Sequence, residues 1–193
     1  MMSMRKIKIA MFCLVLVGGM SQMVLAGTDA EEQVGVLTVT GTVKVNGKLA
    51  ATGDIVAPGS EVQTAKGSSA VVSLGKLGRV EALPSTTLKL RYDETTTTHT
   101  LASIAILLGD GSVRVSGGEG MIVNVESGLT ATRPSSRKEQ SVFTVDKTCG
   151  NTMVSVEKGK VELRAGHTMK EIAAGGRDSA GQPKAGCTQA RNR

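Results

Sequence analysis

Apolar residues recur at every second position along most of this chain, from Val34 to Leu163. These positions hold chiefly valine, leucine and isoleucine, which favour β-strands, and the alternation gives each strand one apolar and one polar face. A half-step in the pattern predicts a bulge or a change of face near Gly35. The later predicted strands are Val43–Val45, Ile55–Val56, Glu61–Thr64, Ser69–Leu74, Arg79–Ala82, Thr87–Tyr92, Thr97–Leu107, Ser112–Val115, Met121–Val125, Gly128–Thr132, Ser141–Val145, Thr152–Glu157 and Lys160–Arg164.

Turn residues separate these short strands at intervals of about 8 to 12 residues, a spacing typical of all-β domains. Asn46 and Gly47 form a hairpin-turn dipeptide, because both residues tolerate a positive φ. No segment sustains a helical period over three turns. We therefore expect a single all-β domain of short stacked strands, either β-solenoid-like or a β-sandwich.

Three short segments repeat one pattern, a glycine followed by two apolar positions that flank a charge. They are Gly41–Gly47, Gly111–Gly117 and Gly159–Ala165. Such echoes mark either stacked coils that complete one another's core or three unrelated strands that open in the same way. Periodicity alone leaves both interpretations open.

The first 26 residues are typical of a secretory signal peptide. Basic residues precede an apolar block, Ile9 to Val17, and small residues lead up to Ala26, which predicts cleavage between Ala26 and Gly27. The block is shorter than the roughly 18 apolar residues that a spanning helix needs, so we expect no stable membrane span after cleavage. An uncleaved anchor is the alternative. The predicted location is periplasmic or secreted.

We expect residues 27–175 to form the domain and residues 176–193 to form a glycine-rich basic tail. The chain has a formal net charge of +6, and three of its basic residues lie in the leader, which leaves +3 afterwards. The predicted domain itself is neutral overall. After the leader the only aromatic residues are Phe143 and Tyr92. Nucleic-acid binding is therefore not expected, since it favours a basic face with aromatic stacking residues.

Cys149 and Cys187 are the cysteines that remain after leader cleavage. An exported chain with an even number of thiols usually pairs them, so we predict a disulfide between these two residues. The bond would hold the tail against the domain. A redox-active or nucleophilic thiol is the alternative, but neither cysteine lies in a Cys-x-x-Cys motif or has a histidine close in sequence.

Candidates for catalysis and metal binding are few. His99 and His167 lack the spacing of a zinc site and are expected to be polar surface residues. Ser135 and Ser136 lack a nucleophile elbow, and Asp110 lies in a turn-like sequence. We therefore predict no catalytic residue, no metal site and no cofactor.

Several segments together resemble the FecR domain. A Gly-Asp step, a Val-x-Thr strand, a small-residue strand and a strand that closes with Pro-x-Thr-x-Leu follow one another as Gly53–Gly59, Glu61–Thr64, Gly67–Leu74 and Arg79–Leu88. The second half is similar in order, with Leu108-Gly109, Ser112–Val115, Val142–Val145, Thr152–Val156 and Gly159–Leu163. The resemblance covers residues 34–175 and implies a solenoid-like or sandwich-like stack of short strands.

The resemblance also bears on function. Members of the FecR family lie in the periplasm and signal to a sigma factor through a membrane-spanning segment and a cytoplasmic anti-sigma tail, parts that this sequence does not show. We expect a noncatalytic exported interaction or scaffold domain that binds an envelope protein or a polysaccharide. The alternatives are a structural component of a surface assembly and a secreted hydrolase.

Overall fold

The computed structural model describes residues 35–94, 101–118 and 120–181, and about two thirds of them lie in short β-strands. One 3-10 turn, Gly75–Leu77, interrupts the strands. In chain order the strands are β1 (Gly35–Thr40), β2 (Val43–Val45), β3 (Lys48–Leu49), β4 (Ile55–Val56), β5 (Glu61–Thr64), β6 (Ser69–Ser73), β7 (Gly78–Ala82), β8 (Thr87–Glu94), β9 (Leu101–Leu108), β10 (Gly111–Gly117), β11 (Ile122–Ser127), β12 (Thr130–Pro134), β13 (Ser141–Thr148), β14 (Asn151–Lys158), β15 (Lys160–Ala165), β16 (Thr168–Ala173) and β17 (Arg177–Gly181).

The strands form two sheets that share one core. Sheet A has the order β17-β14-β13-β10-β7-β6-β1-β4, and sheet B has the order β16-β15-β12-β11-β9-β8-β5-β2-β3. Both contribute alternate residues to a single buried cluster, for example Leu37 and Phe143 from sheet A and Ile106 and Leu163 from sheet B. Because each strand turns one face inward, the period-two pattern of the sequence becomes the interior of a sandwich. The all-β prediction is confirmed, and of its two forms the structure has the β-sandwich.

Both sheets are built up in chain order, from the early strands β4 and β3 at one edge to the late strands β17 and β16 at the other. The chain crosses repeatedly from one sheet to the other and often forms a hairpin within a sheet before it crosses back. The three repeated segments all begin at such crossings, with Gly41, Gly111 and Gly159 at φ values of 78°, 100° and 79°. A side chain on Gly159 would lie 2.9 Å from the Gln140 carbonyl oxygen, so the crossing is too tight for a larger residue. The repeat therefore does not mark stacked coils, and each copy is a glycine at a sheet-to-sheet crossing followed by a short strand.

Of the two alternatives predicted near Gly35, the bulge is wrong and the change of face is confirmed, because Val36 lies on the outer face and Leu37 on the inner one. Strand β1 pairs with β6 in an unbroken register, and it is Val36 that faces outward, where it is 45% exposed. Gly35 lies at an inward position. A β-carbon there would overlap the Val72 side chain, so the position needs glycine. Close packing, and not a kink, explains why the apolar alternation shifts at this point.

Most predicted strands are confirmed to within one or two residues at each end. The Asn46-Gly47 turn is also confirmed, with φ values of 51° and 77° and with Val45 paired to Lys48. Strands β3, β16 and β17 were not expected. The last of these, Arg177–Gly181, lies in the segment expected to be a tail and pairs with β14. Gly117 ends β10, and Gly118 follows it at a crossing from sheet A to sheet B.

Several predictions concern residues outside the described ranges. These are the leader Met1–Ala26, the cleavage site at Ala26 and Gly27, residues 97–100 of the predicted Thr97–Leu107 strand, and Cys187. Within the part of the chain that the structure describes, no helix has the length and apolar character needed to cross a membrane.

Candidate binding site

A small pocket lies on the outer face of sheet B, over its central strands. Ile104 and Ile106 are fully buried in the core, so Ala105 between them points outward, yet it is only 3% exposed. Ala105 and Ala131 form the floor of a cavity of about 340 Å³. The rest of the lining consists of Ser103, Ile122, Met169 and six longer polar or charged side chains, Asn124, Glu126, Arg133, Arg137, Glu162 and Arg164. We refer to this site as the arginine pocket.

The pairing of the strands brings these residues together. Strands β9 and β11 form a parallel pair in which Ala105 lies beside Asn124, while every other strand pair among the described residues is antiparallel. The next pair, β12 with β15, sets Arg133 beside Glu162 and Ala131 beside Arg164. Small residues on two strands thus leave a depression, and the long side chains of their neighbours surround it.

The pocket carries more positive than negative charge. Arg133 donates from Nε to Glu162 Oε2 at 2.8 Å, and its side chain is 54% exposed against 21% for the glutamate. Arg137 and Arg164 make no ion pair with any residue in the described ranges. The pocket therefore contains three guanidinium groups and two carboxylates, and two of the guanidinium groups have no ion-pair partner among the described residues.

The side-chain amide of Asn124 has an oxygen that accepts no hydrogen bond from the described residues. Its Nδ2 donates to Glu126 Oε1 at 3.1 Å, which fixes the orientation of the amide because two oxygens would otherwise face each other. Its Oδ1 is buried and has no hydrogen-bond partner among the described residues. A buried polar atom without a protein partner is uncommon in folded proteins and calls for an explanation, one of which is a bound group that donates to it.

A larger groove, of about 1400 Å³, lies at one end of the sandwich, and we call it the end groove. Two of its three charged side chains, those of Asp146 and Lys147, are already engaged in hydrogen bonds within the protein. Asp146 accepts from the hydroxyls of Ser112 and Thr148, the latter at 2.8 Å, and Lys147 Nζ donates to the Leu108 carbonyl oxygen at 3.2 Å. Because these side chains bond to their own protein, the groove is a weaker candidate than the arginine pocket.

The cysteine and histidine predictions have different outcomes. Cys149 lies in the turn between β13 and β14, at a φ of 54°, and borders the end groove. Its predicted partner, Cys187, is outside the described residues, so the disulfide stays a prediction. His167 is exposed in the turn between β15 and β16, as expected, whereas His99 is also outside the described ranges.

The remaining chemical candidates are placed as follows. Asp110 lies in the turn between β9 and β10, as expected. Ser135 has a buried hydroxyl without a partner among the described residues. In those same residues, no three His, Cys, Asp or Glu side chains converge as metal ligands would.

The residues of the arginine pocket were not singled out from the sequence. Its amide and charged side chains come from β11, β12, β15 and the loop after β12, and each occupies a solvent-facing position where a polar residue needs no special explanation. The available signal was Ala105, a small residue between two large apolar ones in the densest apolar segment of the domain.

No protein-family model and no curated protein matches this chain. Two crystal structures of a candidate anti-sigma factor from Parabacteroides distasonis ATCC 8503 are similar to it, at 17% and 16% sequence identity and a TM-score of 0.49 each. In each case the match covers 63% of this chain and 54% of the other, so this chain spans about half the length of those structures. At this level the likeness concerns the arrangement of strands and carries no information about partners.

Proposed function

We propose that this chain is a noncatalytic, exported interaction module of the FecR-like type, which binds an envelope protein or an envelope polymer. The arginine pocket carries the proposal. Among the described residues, its Arg137 and Arg164 form no ion pair, and its buried Asn124 Oδ1 accepts no hydrogen bond. A concave site with a few convergent polar groups is the usual form of a binding site.

The positions of the FecR-like motifs are consistent with this type of module. The four segments that carry the resemblance in the first half of the chain occupy consecutive elements, from the turn before β4 to the start of β8. They supply tight turns and small inward residues such as Ala70 and Ala82, which pair across β6 and β7. The motifs therefore specify the scaffold, and the arginine pocket lies on strands that follow it.

The sheet edges favour a binding module over a structural polymer. Edge strands β3 and β4 have two residues each, too few to template a long intermolecular ladder. Edge strand β16 exposes Lys170 and Glu171, and edge strand β17 carries Arg177 and Asp178. Short or charged edges resist edge-to-edge association, so continuous assembly through the sheets is disfavoured.

The geometry near Cys149 supports the proposed disulfide, and with it export. Gly181, the last residue of β17, pairs with Asn151, and a side chain on it would lie 2.6 Å from the Gly150 carbonyl oxygen. Cys187 follows six residues later, and six residues reach up to about 20 Å. The bond requires the two Cα atoms to lie only about 4.4 to 6.8 Å apart, which a chain leaving Gly181 can satisfy.

Retention by an envelope fraction tests the proposed function. The protein is sedimented with the isolated cell envelope, and the variant R137Q/R164Q is compared with K44Q, which removes an exposed lysine from β2 on the same sheet. We expect the double variant to be released and K44Q to be retained like the wild type. Equal retention of all three proteins would contradict the assignment of the site, and turnover in a broad hydrolase screen would contradict the noncatalytic assignment.

A further inference from the structure

We propose that the arginine pocket binds a uronic-acid ring, a sugar that carries one carboxylate and several hydroxyl groups. This inference rests on the proposed function and names the ligand chemistry of the same site. The cavity of about 340 Å³ lies at the lower end of the usual range for small-molecule sites, about 300–1,000 Å³. It suits a single ring, either free or as one unit of a polysaccharide.

The cationic groups match a carboxylate. Arg137 and Arg164 both line the cavity and have no carboxylate partner within the described ranges. A guanidinium presents its N–H donors in a planar fork that matches the two oxygens of a carboxylate. Arg133 is held by Glu162 and so serves as a wall, which leaves the other two guanidinium groups to receive the anion.

The acceptor groups match hydroxyls. Glu126 receives one hydrogen bond from Asn124 and retains a second carboxylate oxygen, and Asn124 Oδ1 has no donor in the described part of the chain. Carboxylate and amide oxygens can only accept, so they require a ligand with O–H or N–H groups. A sugar ring supplies several O–H donors next to its carboxylate, whereas a simple carboxylic acid does not.

The surface of the pocket fits the ring itself. Ala105 and Ala131 make a shallow apolar floor, and Met169, which is 58% exposed, stands beside Arg164 on the neighbouring strand. The C–H face of a sugar ring can pack on such a floor. The thioether of methionine is flexible and adapts to irregular shapes, so it can close one side of the ring.

The charge balance separates a uronate from more strongly acidic ligands. Three arginines and two glutamates leave one net positive charge, which a single carboxylate neutralises. A phosphate group would bring additional negative charge close to Glu126 and Glu162, and like charges at short range repel. The charge balance therefore favours a carboxylate over a phosphate group, and the acceptor oxygens favour a sugar ring, which supplies hydroxyl donors, over an acidic side chain, which supplies none.

The experiment is a calorimetric titration of the full-length protein with four probes. These are oligogalacturonate, monomeric galacturonate, a neutral galactose oligomer of the same length, and a poly-glutamate peptide. Each titration is repeated with R164Q and with K44Q as the matched control. Because Arg164 and Lys44 are both exposed, neither variant is expected to change the unfolding curve, which is measured in parallel.

We expect oligogalacturonate to bind, the neutral oligomer and the peptide not to bind, and R164Q to weaken binding by about tenfold or more, as the loss of a charge-assisted hydrogen bond would. Equal affinity for the monomer would identify the free sugar acid, and much weaker binding of the monomer would identify a polymer. Binding of the peptide, or no effect of R164Q, would overturn the proposal. If the envelope retention assay depends on the arginines while oligogalacturonate fails to bind, the proposed function stands and the sugar assignment fails.

Discussion

The hydroxyl of Thr152 on β14 lies 2.9 Å from the hydroxyl of Ser127 on β11, so a buried polar contact joins the two sheets of the sandwich. Thr130 completes the cluster, with its hydroxyl 3.0 Å from Thr152 and 2.8 Å from the Ser127 carbonyl oxygen. All three side chains are at least 95% buried. Where the core borders the end groove, the two sheets are therefore joined by hydrogen bonds and not by apolar packing.

Replacing Thr152 with valine tests the energetic weight of this cluster. The substitution keeps the shape of the side chain but leaves the buried Ser127 hydroxyl without its partner, so we expect a loss of about 1–3 kcal/mol in the free energy of unfolding. Urea denaturation measures it. T38V, at an exposed position of β1, is the control and should change the free energy of unfolding by no more than about 0.5 kcal/mol. Equal effects of the two substitutions would show that the cluster contributes nothing specific.

A second prediction concerns the crossing glycines. A β-carbon on Gly111 would lie 2.6 Å from the Thr86 Cα, whereas one on Gly128, at a φ of 64°, would meet open space. We expect Gly128→Ala to cost about 1–2 kcal/mol, the strain of a left-handed backbone, and Gly111→Ala to cost clearly more. Unfolding curves of the two variants give the comparison. If Gly128→Ala proves as costly as Gly111→Ala, the close approach at the crossing is not what selects glycine.

The single tyrosine gives a pH-dependent prediction. The Tyr92 hydroxyl donates to the Val56 carbonyl oxygen at 3.3 Å, and burial raises the pKa of Tyr92 above its ordinary value of 10.0, against a smaller opposing effect of a backbone hydrogen bond from Gly35. The folded state therefore keeps its phenol proton to higher pH than the unfolded state. The stabilisation is fully present below the unfolded pKa and is lost as the pH rises through the folded one.

The ultraviolet absorbance of the phenolate measures this directly, because the chain has one tyrosine and no tryptophan. The titration midpoint of the native protein should lie above that of the same protein in urea. In addition, Y92F should lose less stability than the wild type as the pH rises through this range. Coincident midpoints in the two solvents would contradict the burial of the hydroxyl.

The disulfide prediction can be tested with C149S. A bond between Cys149 and Cys187 would close a loop of about 38 residues. The lost loop-closure entropy of the unfolded chain would raise the free energy of unfolding by about 3–4 kcal/mol. We expect C149S to melt at a lower temperature than the oxidised wild type but still to fold, and the wild type treated with a reductant to behave like the variant. Two titratable thiols in the native protein, together with an unchanged melting temperature, would exclude the bond.

The sequence predicts the interior strands well because their inward positions are apolar. Strand β13, for example, turns Phe143 and Val145 inward and Thr144 and Asp146 outward. The edge strands carry no such signal. In β16 only Ile172 is buried, and β17 has no large apolar residue at all, so their strand character depends on backbone pairing with β15 and β14.

The arginine pocket could not be predicted from the sequence, for a related reason. Asn124 and Arg164 are separated by 40 positions along the chain, and each occupies an ordinary outward position of its strand. What makes them a site is the order of the strands in sheet B, above all the parallel pairing of β9 with β11. Strand order depends on the whole fold, and the alternation of single strands does not encode it.

The progression of the chain along both sheets has a consequence for how the protein acquires its structure. From β3 onward, every strand hydrogen-bonds to a strand that precedes it, and except for β6 with β1 that partner is at most three strands earlier. A polypeptide that is threaded through a translocation channel with its amino terminus first would therefore find each new docking surface already assembled. Vectorial folding of this kind proceeds from one end to the other and needs no contact between the two ends of the sequence.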